Sequence, residues 1–315
     1  INYSATGDTI QLAAGTYTLD IDGDSEDPGL TGDLDITDKD LIIIGAGQAT
    51  TIIDGSGFTA GEEDRVFDLN GVVNLDISAL TITGGYDDGE GGGIRMEDGT
   101  LTITNVTITG NTADDGGGYG SGGGIYVESG TVTITDSDIS GNTSGEYGGG
   151  ISTYTGTFNL TNTTITGNTA GSYGGGIDAY YGTFNLTNVT ITGNEATNNE
   201  GGGIYVSDGT VTITDSDISG NTSGDSGGGI YVEEGGEAII TNTTITGNTA
   251  DSEGGGIYVD SNSAITITDS DISGNTSTSD GGGIYIYDGV TATITNTTIT
   301  GNTADGYGGG IYVES

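Results

Sequence analysis

The block Gly-Gly-Gly-Ile recurs through this chain with its isoleucine at Ile94, Ile125, Ile151, Ile177, Ile204, Ile230, Ile257, Ile284 and Ile311, at spacings of 31, 26, 26, 27, 26, 27, 27 and 27 residues. A Gly-Asn pair follows the first eight of these 17 or 18 residues later, at Asn111, Asn142, Asn168, Asn194, Asn221, Asn248, Asn275 and Asn302. A unit of this length holds too few apolar side chains to fold alone, and a strict period means that neighbouring units complete one another's core.

Inside each unit, apolar residues alternate with Thr, Ser or Asn, as in Thr131-Val132-Thr133-Ile134-Thr135. That is the pattern of a half-buried strand rich in β-branched side chains. The first strand reads Ile125-Tyr126-Val127, the second Val132-Thr133-Ile134, and the third is centred on Ile139. Stacked units place Ile94 over Ile125 over Ile151, Ile103 over Ile134 over Leu160 over Leu186 over Ile213, and Ile108 over Ile139 over Ile165. Three short strands per unit, joined by polar turns, predict an all-β solenoid, a single-stranded parallel β-helix of about 10–11 coils stacked ~4.8 Å apart. A propeller blade needs about four strands in roughly 40–50 residues, more than this unit contains. Residues 91–315 are expected to be the regular repeats. Residues 1–90, with an acidic insertion from Asp20 to Asp33, are expected to be irregular N-terminal coils of the same domain.

Composition narrows the chemistry. The chain has no His, Cys or Trp, which removes His-ligated zinc, thiolate chemistry, disulfides, a Ser-His-Asp triad and His- or Cys-held haem. Its formal net charge is -43, with Lys39, Arg65 and Arg95 as its 3 basic residues. Such a polyanion repels nucleic acid and anionic lipid, so neither is an expected partner. No apolar run approaches the ~18 residues of a membrane span, so insertion in a membrane is not expected.

Several groups stand out as candidate sites. Asp20, Asp22, Asp24, Glu26 and Asp27 alternate around Gly23 in the manner of oxygen ligands for a hard cation, without the full EF-hand pattern, and Ca2+ is the expected ion. Its alternative is a solvated acidic loop. The loop acids Asp114, Asp115, Glu146, Asp225, Asp251, Glu253, Asp280 and Asp305 precede Gly triplets and would stack along one edge, either splayed into water or bridged by cations. Tyr126, Tyr205, Tyr231, Tyr258, Tyr285 and Tyr312 fall at the outward position of the first strand. They predict an exposed aromatic ladder, either a docking face for fibres or sugar rings or a stabilising stack. The Gly-Asn asparagines are candidates for an internal hydrogen-bonded ladder. Asp136 with Asp138, Asp215 with Asp217, and Asp269 with Asp271 are close carboxylate pairs of the kind glycosidases use. They are repeat positions, exchanged for Asn105, Asn162, Asn188, Asn242 and Asn296 elsewhere, which favours solvated turns over a catalytic pair.

The run from Asp8 to Leu19, then Thr31-Gly32-Asp33-Leu34-Asp35-Ile36, Ile44-Gly45-Ala46-Gly47, Thr51-Ile52-Ile53-Asp54-Gly55 and Arg65-Val66-Phe67, resembles the opening of bacterial right-handed parallel β-helix repeat proteins of the CSLREA-domain type. The later Gly-Gly-Gly-Ile and Thr-Ile-Thr-Gly-Asn-Thr units are similar to their repeats and to those of polymorphic outer-membrane adhesins. The resemblance implies a right-handed coil and a secreted or surface-displayed protein, generally without an assigned activity. The family's Cys-Ser-Leu-Arg-Glu-Ala segment is absent.

The sequence stops inside a repeat, at Gly308, Ile311, Tyr312 and Val313, and begins Ile1-Asn2-Tyr3. A solenoid end without a cap invites a head-to-tail contact between those two groups, and a contact that does not close gives a filament. The resulting expectation is a non-enzymatic, calcium-stabilised subunit of an extracellular or cell-surface homopolymer, with neighbouring fibres or glycans as further partners. The alternatives are a segment of a surface adhesin or stalk and, third, a polysaccharide lyase or glycoside hydrolase.

Overall fold

A computed structural model describes residues 5–19, 33–57, 64–114, 116–117 and 119–314. Every element among them is a strand, turn or bend, and no helix is present among the described residues. The chain winds as a parallel β-helix. One coil consists of the strands Ile151–Thr153, Thr157–Thr161 and Thr164–Thr166, followed by the two-residue strand Thr169–Ala170. Each pairs in parallel with its counterpart one coil on, Ile151 with Ile177, Leu160 with Leu186, and Ile165 with Ile191. The short fourth strand recurs in a separate ladder of 9 among the described residues, which the sequence pattern had not separated from the turn.

The pairing is in register because the pattern leaves no other choice. Side chains alternate across a strand, so a slip of one residue would turn every isoleucine outward. The inward columns contain Ile125, Ile134, Ile139 and their equivalents, fully buried until the last coil, where Ile294 and Ile299 are partly buried and Ile311 is exposed. Burying each such side chain contributes about 1.5–3 kcal/mol. Phe158 and Phe184 stack in one column with ring centroids 4.6 Å apart and planes 3° from parallel.

Two kinds of corner make the coil turn. Between the second and third strands the chain passes through Asn105, Asp136, Asn162, Asn188, Asp215, Asn242, Asp269 or Asn296, each with φ between 48° and 54°. Asn and Asp are the non-glycine residues that best tolerate this left-handed conformation, which explains why they exchange at this position. Asp136, Asp215 and Asp269 are therefore corner residues, stacked on corner asparagines: Asn162 Nδ2 donates to Asp136 Oδ1 at 2.9 Å and Asn242 Nδ2 to Asp215 Oδ1 at 2.5 Å.

At the Gly-Asn corner the glycine takes the positive φ, 61° at Gly167, and the asparagine turns inward. Asn111, Asn142, Asn168, Asn194, Asn221, Asn248, Asn275 and Asn302 form a continuous ladder. Asn168 is typical: its Nδ2 donates to Asn194 Oδ1 and to the Ile139 carbonyl, both at 3.0 Å, and its Oδ1 accepts from the backbone and side chain of Asn142. Every polar atom of this buried amide is matched, which is what permits it in the core.

The residues before 90 are not uniformly irregular. The strand Phe67–Thr83 pairs with Ile94–Thr109 from Phe67↔Ile94 to Thr83↔Thr109, with a bulge between Leu69 and Val72, and Asp40–Ile44 pairs in turn with Asn74 to Ser78.

Candidate functional site

The outward position of the first strand makes one column along the whole rod. By register it runs Asp35, Asp68, Arg95, Tyr126, Ser152, Asp178 and then Tyr205, Tyr231, Tyr258, Tyr285 and Tyr312. The later tyrosines stack face to face, Tyr231 on Tyr258 at 4.7 Å and 2°, Tyr258 on Tyr285 at 4.8 Å and 7°. The ring spacing equals the strand spacing, so the sheet dictates the stack. Exposure is where the structure departs from the expected ladder: Tyr205, Tyr231 and Tyr285 are only 5–7% exposed, because each ring covers its neighbours.

Ser152 and Asp178 interrupt this column on two successive rungs, and the missing rings leave a cavity of about 420 Å³. Its floor is Ser152 and Asp178, and Tyr126 and Tyr205 close it along the column. The flanking columns supply the other walls. On one side Tyr147 and Tyr173 stack at 5.3 Å, joined by a backbone bridge, and Tyr173 lies 4.9 Å from Tyr205. On the other stand Tyr154 and Tyr180, 5.7 Å apart. Glu233 and Glu234 reach the rim beyond Ser207, and the Tyr205 hydroxyl donates to Glu233 Oε1.

Asp178 is 2% exposed. Its Oδ2 accepts a hydrogen bond from Ser152 Oγ at 2.7 Å, while its Oδ1 has no partner. Burial pushes its pKa from 3.8 up to about 7, the Ser152 hydrogen bond lowers it, and the charge of Glu146 adds to the rise. Glu200, whose Oε2 is also buried without a partner, is raised to about 7 by burial and then by Asp225 and Glu233. Burial and the neighbouring carboxylates likewise hold the hydroxyls of Tyr147 and Tyr205 in the protonated form. At neutral pH the box therefore offers ring faces, hydroxyl groups and one acid poised between its two protonation states.

The other end of the column is ionic. Arg65 pairs with Asp87 at 2.5 Å and Asp68 at 3.1 Å, and Arg95 with Asp68 at 3.3 Å and Glu90 at 3.5 Å. Carboxylate oxygens of Asp33, Asp35 and Asp68 lie within 4.8 Å of one another, and burial followed by the charges of Asp35, Asp64 and Asp68 raises Asp33 to about 8. A protonated Asp33 relieves this crowding without any further group.

Of the sites expected from the sequence, the acidic run Asp20, Asp22, Asp24, Glu26 and Asp27 lies outside the described residues, as do Ile1, Asn2 and Tyr3 and the loop residue Asp115. Gly308, Ile311, Tyr312 and Val313 are described: Ile311–Val313 pairs with Ile284–Ile286, and Val313 is 60% exposed. The loop acids do not form an unbroken stack. Ser226 stands between Glu200 and Glu253 and donates to Glu253 Oε2 at 3.1 Å. The structure brings none of the expected site residues into the box except Tyr126 and Tyr205. Ser152, Asp178, Tyr147, Tyr154, Tyr173 and Tyr180 were missed. The signal was present as a break in the tyrosine column, two unlike residues at equivalent positions of consecutive units.

The family model described as the right handed beta helix region matches residues 69–211 and 151–315, more than half of the chain. No curated protein matches. Among solved structures the chain is similar to the A-module of Azotobacter vinelandii mannuronan C-5 epimerase AlgE4, at 18% identity and a TM-score of 0.45, covering 95% of this chain and 90% of that one. It is also similar to pectate lyase Pel9A, at 15% identity and a TM-score of 0.43, covering 95% of this chain and 72% of that one. The expectation of a non-enzymatic chain is withdrawn on this finding, since solved proteins similar to it over nearly its whole length are enzymes. At these identities and scores the likeness itself assigns this chain no activity.

Proposed function

The chain belongs to the right-handed β-helix family, and from that premise we infer that its tyrosine-lined face holds a polysaccharide chain along the coil axis, with one sugar unit seated in the box between Tyr126 and Tyr205. One observation carries the reading: a buried acid with an unpartnered oxygen forms the floor of a tyrosine-walled cavity that the repeat opens at one place in its ladder. Tyrosine faces suit the apolar face of a sugar ring, and their hydroxyls suit its polar edge. Convergent polar groups in an otherwise aromatic concavity are the usual form of a small-ligand site.

Asp178 gives the site a chemical role beyond binding. An acid with a pKa of about 7 keeps a proton available at neutral pH and can deliver it to a glycosidic oxygen. Glu233, which accepts from the Tyr205 hydroxyl at the rim, would serve as the base for the water that attacks the anomeric carbon as the protonated glycosidic oxygen leaves. The test is a panel of neutral, acidic and amino-substituted oligosaccharides, read by calorimetry and by analysis of products. The expected result is binding of one class, lost in Ser152→Tyr, and product formation lost in Asp178→Asn. Failure of every class to bind, or binding indifferent to Ser152→Tyr, would sink the reading.

A second reading is the surface filament or adhesin stalk of the CSLREA type. It is supported by the uniform register, since the backbone groups that pair Ile284 with Ile311 would pair any further coil in the same way. Electron microscopy of the purified protein, with calcium and after chelation, tests it. Uniform threads favour it, and their loss in chelator assigns a role to calcium. Isolated short rods in both conditions dispose of it.

A further inference from the structure

We propose that the sugar unit held in the box carries a protonated amino group, so that the polysaccharide is an amino-sugar polymer. The ammonium would lie against Asp178 Oδ1 among the tyrosine rings. This rests on the polysaccharide reading above and deepens it.

Asp178 Oδ1 is buried and has no donor, although Oδ2 takes one from Ser152. A buried carboxylate is normally matched by a cation or by several hydrogen bonds. No basic side chain lines this cavity. The two arginines are engaged elsewhere, Arg65 by Asp68 and Asp87, and Arg95 by Asp68 and Glu90 with Glu128 at 3.9 Å. The missing positive charge is thus left to the ligand.

The walls point the same way. A cation within about 6 Å of a tyrosine ring face is attracted by the ring quadrupole, more strongly when water is excluded. Six tyrosines line the box. The carboxylates around it act on its groups with one sign: Glu146 on Asp178 and Tyr147, Glu200 and Glu233 on Tyr173, and Glu233 on Tyr205. A uronic acid unit would bring its own carboxylate against these groups. A neutral sugar would satisfy Oδ1 with a hydroxyl but leave the surrounding field uncompensated. An ammonium answers both, and by converting Asp178 to its carboxylate it expels a proton on binding.

The closing experiment compares a β-1,4-linked glucosamine trimer with its fully N-acetylated counterpart on the full chain. It uses calorimetry near pH 6 in two buffers of different ionisation enthalpy, at about 0.5 M salt to screen the diffuse charge of the rod. The amino trimer is expected to bind about ten-fold more tightly and to release a proton. Asp178→Asn should abolish both the preference and the proton release. Ser152→Tyr, which restores a residue the same column carries in other coils and so keeps the fold, should exclude both trimers.

Equal or tighter binding of the N-acetylated trimer overturns the ammonium assignment while the polysaccharide reading stands. A preference that survives in both variants overturns it too, since the attraction then comes from overall charge rather than from the box. Binding of neither trimer, with a neutral or acidic chain bound in the panel described above, also overturns it. Binding of nothing in either experiment takes the polysaccharide reading with it.

Discussion

Ser152 and Asp178 occupy adjacent rungs of one column, and the serine hydroxyl donates to Asp178 Oδ2 at 2.7 Å while Oδ1 keeps no partner. The pair matters because it is a pair. A single missing ring would leave a slot between stacked neighbours. Two successive small residues separate Tyr126 from Tyr205 by about 14 Å along the axis, three strand spacings, which is room for a sugar ring with rings above and below.

Stability should fall as pH rises through the neutral range, against the usual behaviour of carboxylates. Burial raises Asp178 and Glu200 to about 7, Asp33 to about 8 and Asp64 to about 6, from ordinary values of 3.8 for Asp and 4.5 for Glu. Below those ordinary values folded and unfolded chains are equally protonated and the contribution is fully present. Between them and the raised values only the folded chain holds the protons, so stability is lost as pH climbs, most of it by about pH 8. Urea midpoints measured from pH 5 to pH 8 should decline. In Asp178→Asn the decline should be shallower by an amount on the order of a few kcal/mol. A midpoint that rises over this range contradicts the assignment.

The inner amide ladder should be intolerant at its middle. Asn194→Ala removes the acceptor for the Asn168 backbone and side chain and the donor to the Ile165 carbonyl. Each orphaned buried group costs about 1–3 kcal/mol. Chemical denaturation should show a loss of roughly 2–4 kcal/mol, and a smaller one for Asn302→Ala, whose amide is only partly buried. Equal losses would mean that the ladder is not the source of the stability.

Two glycines should respond very differently to alanine. A Cβ on Gly175 would lie 2.5 Å from the backbone of Glu195 and the Gly202 carbonyl oxygen, so Gly175→Ala should cost more than about 3 kcal/mol or prevent folding. Gly247, at φ 64°, has nothing within 4 Å of the same position, and Gly247→Ala should cost only the conformational strain of about 1–2 kcal/mol. Soluble yield and thermal midpoints of the two variants, compared side by side, decide this.

Tyrosines inside and outside the box should separate binding from stability. Tyr231→Leu breaks the stack with Tyr205 and Tyr258 and should lower stability by about 1 kcal/mol while weakening polysaccharide binding much less than loss of a box wall does. Tyr173→Leu removes a wall and should weaken binding about ten-fold. Calorimetry on both variants checks the contrast, and an equal effect on binding would argue against the box as the seat of recognition.

The period and alternation of the sequence contained nearly all of the fold, since like residues at fixed spacing can only stack in register, as Ile134 does on Leu160. The inward asparagines were legible for the same reason. The box was not, because it consists of departures from the pattern. Ser152 and Asp178 look like tolerated variation until the rings of Tyr147, Tyr173, Tyr154 and Tyr180 arrive from the flanking columns, and nothing local marks Asp178 as buried. The burial of Tyr231 was hidden for a related reason: alternation says that a side chain points outward, but not that its neighbours will cover it. Asp136, a plausible catalytic acid by composition, is explained by a backbone angle that no side-chain pattern reveals.

The uniform register also separates two evolutionary variables. Because each coil hands the next an identical set of backbone groups, duplication or loss of one unit of 26 or 27 residues by unequal recombination would lengthen or shorten the rod with no repair needed elsewhere. The same event between the coils of Tyr126 and Tyr205 would split the box. Reach can therefore drift freely while the stretch that reads the ligand is inherited as one indivisible cassette.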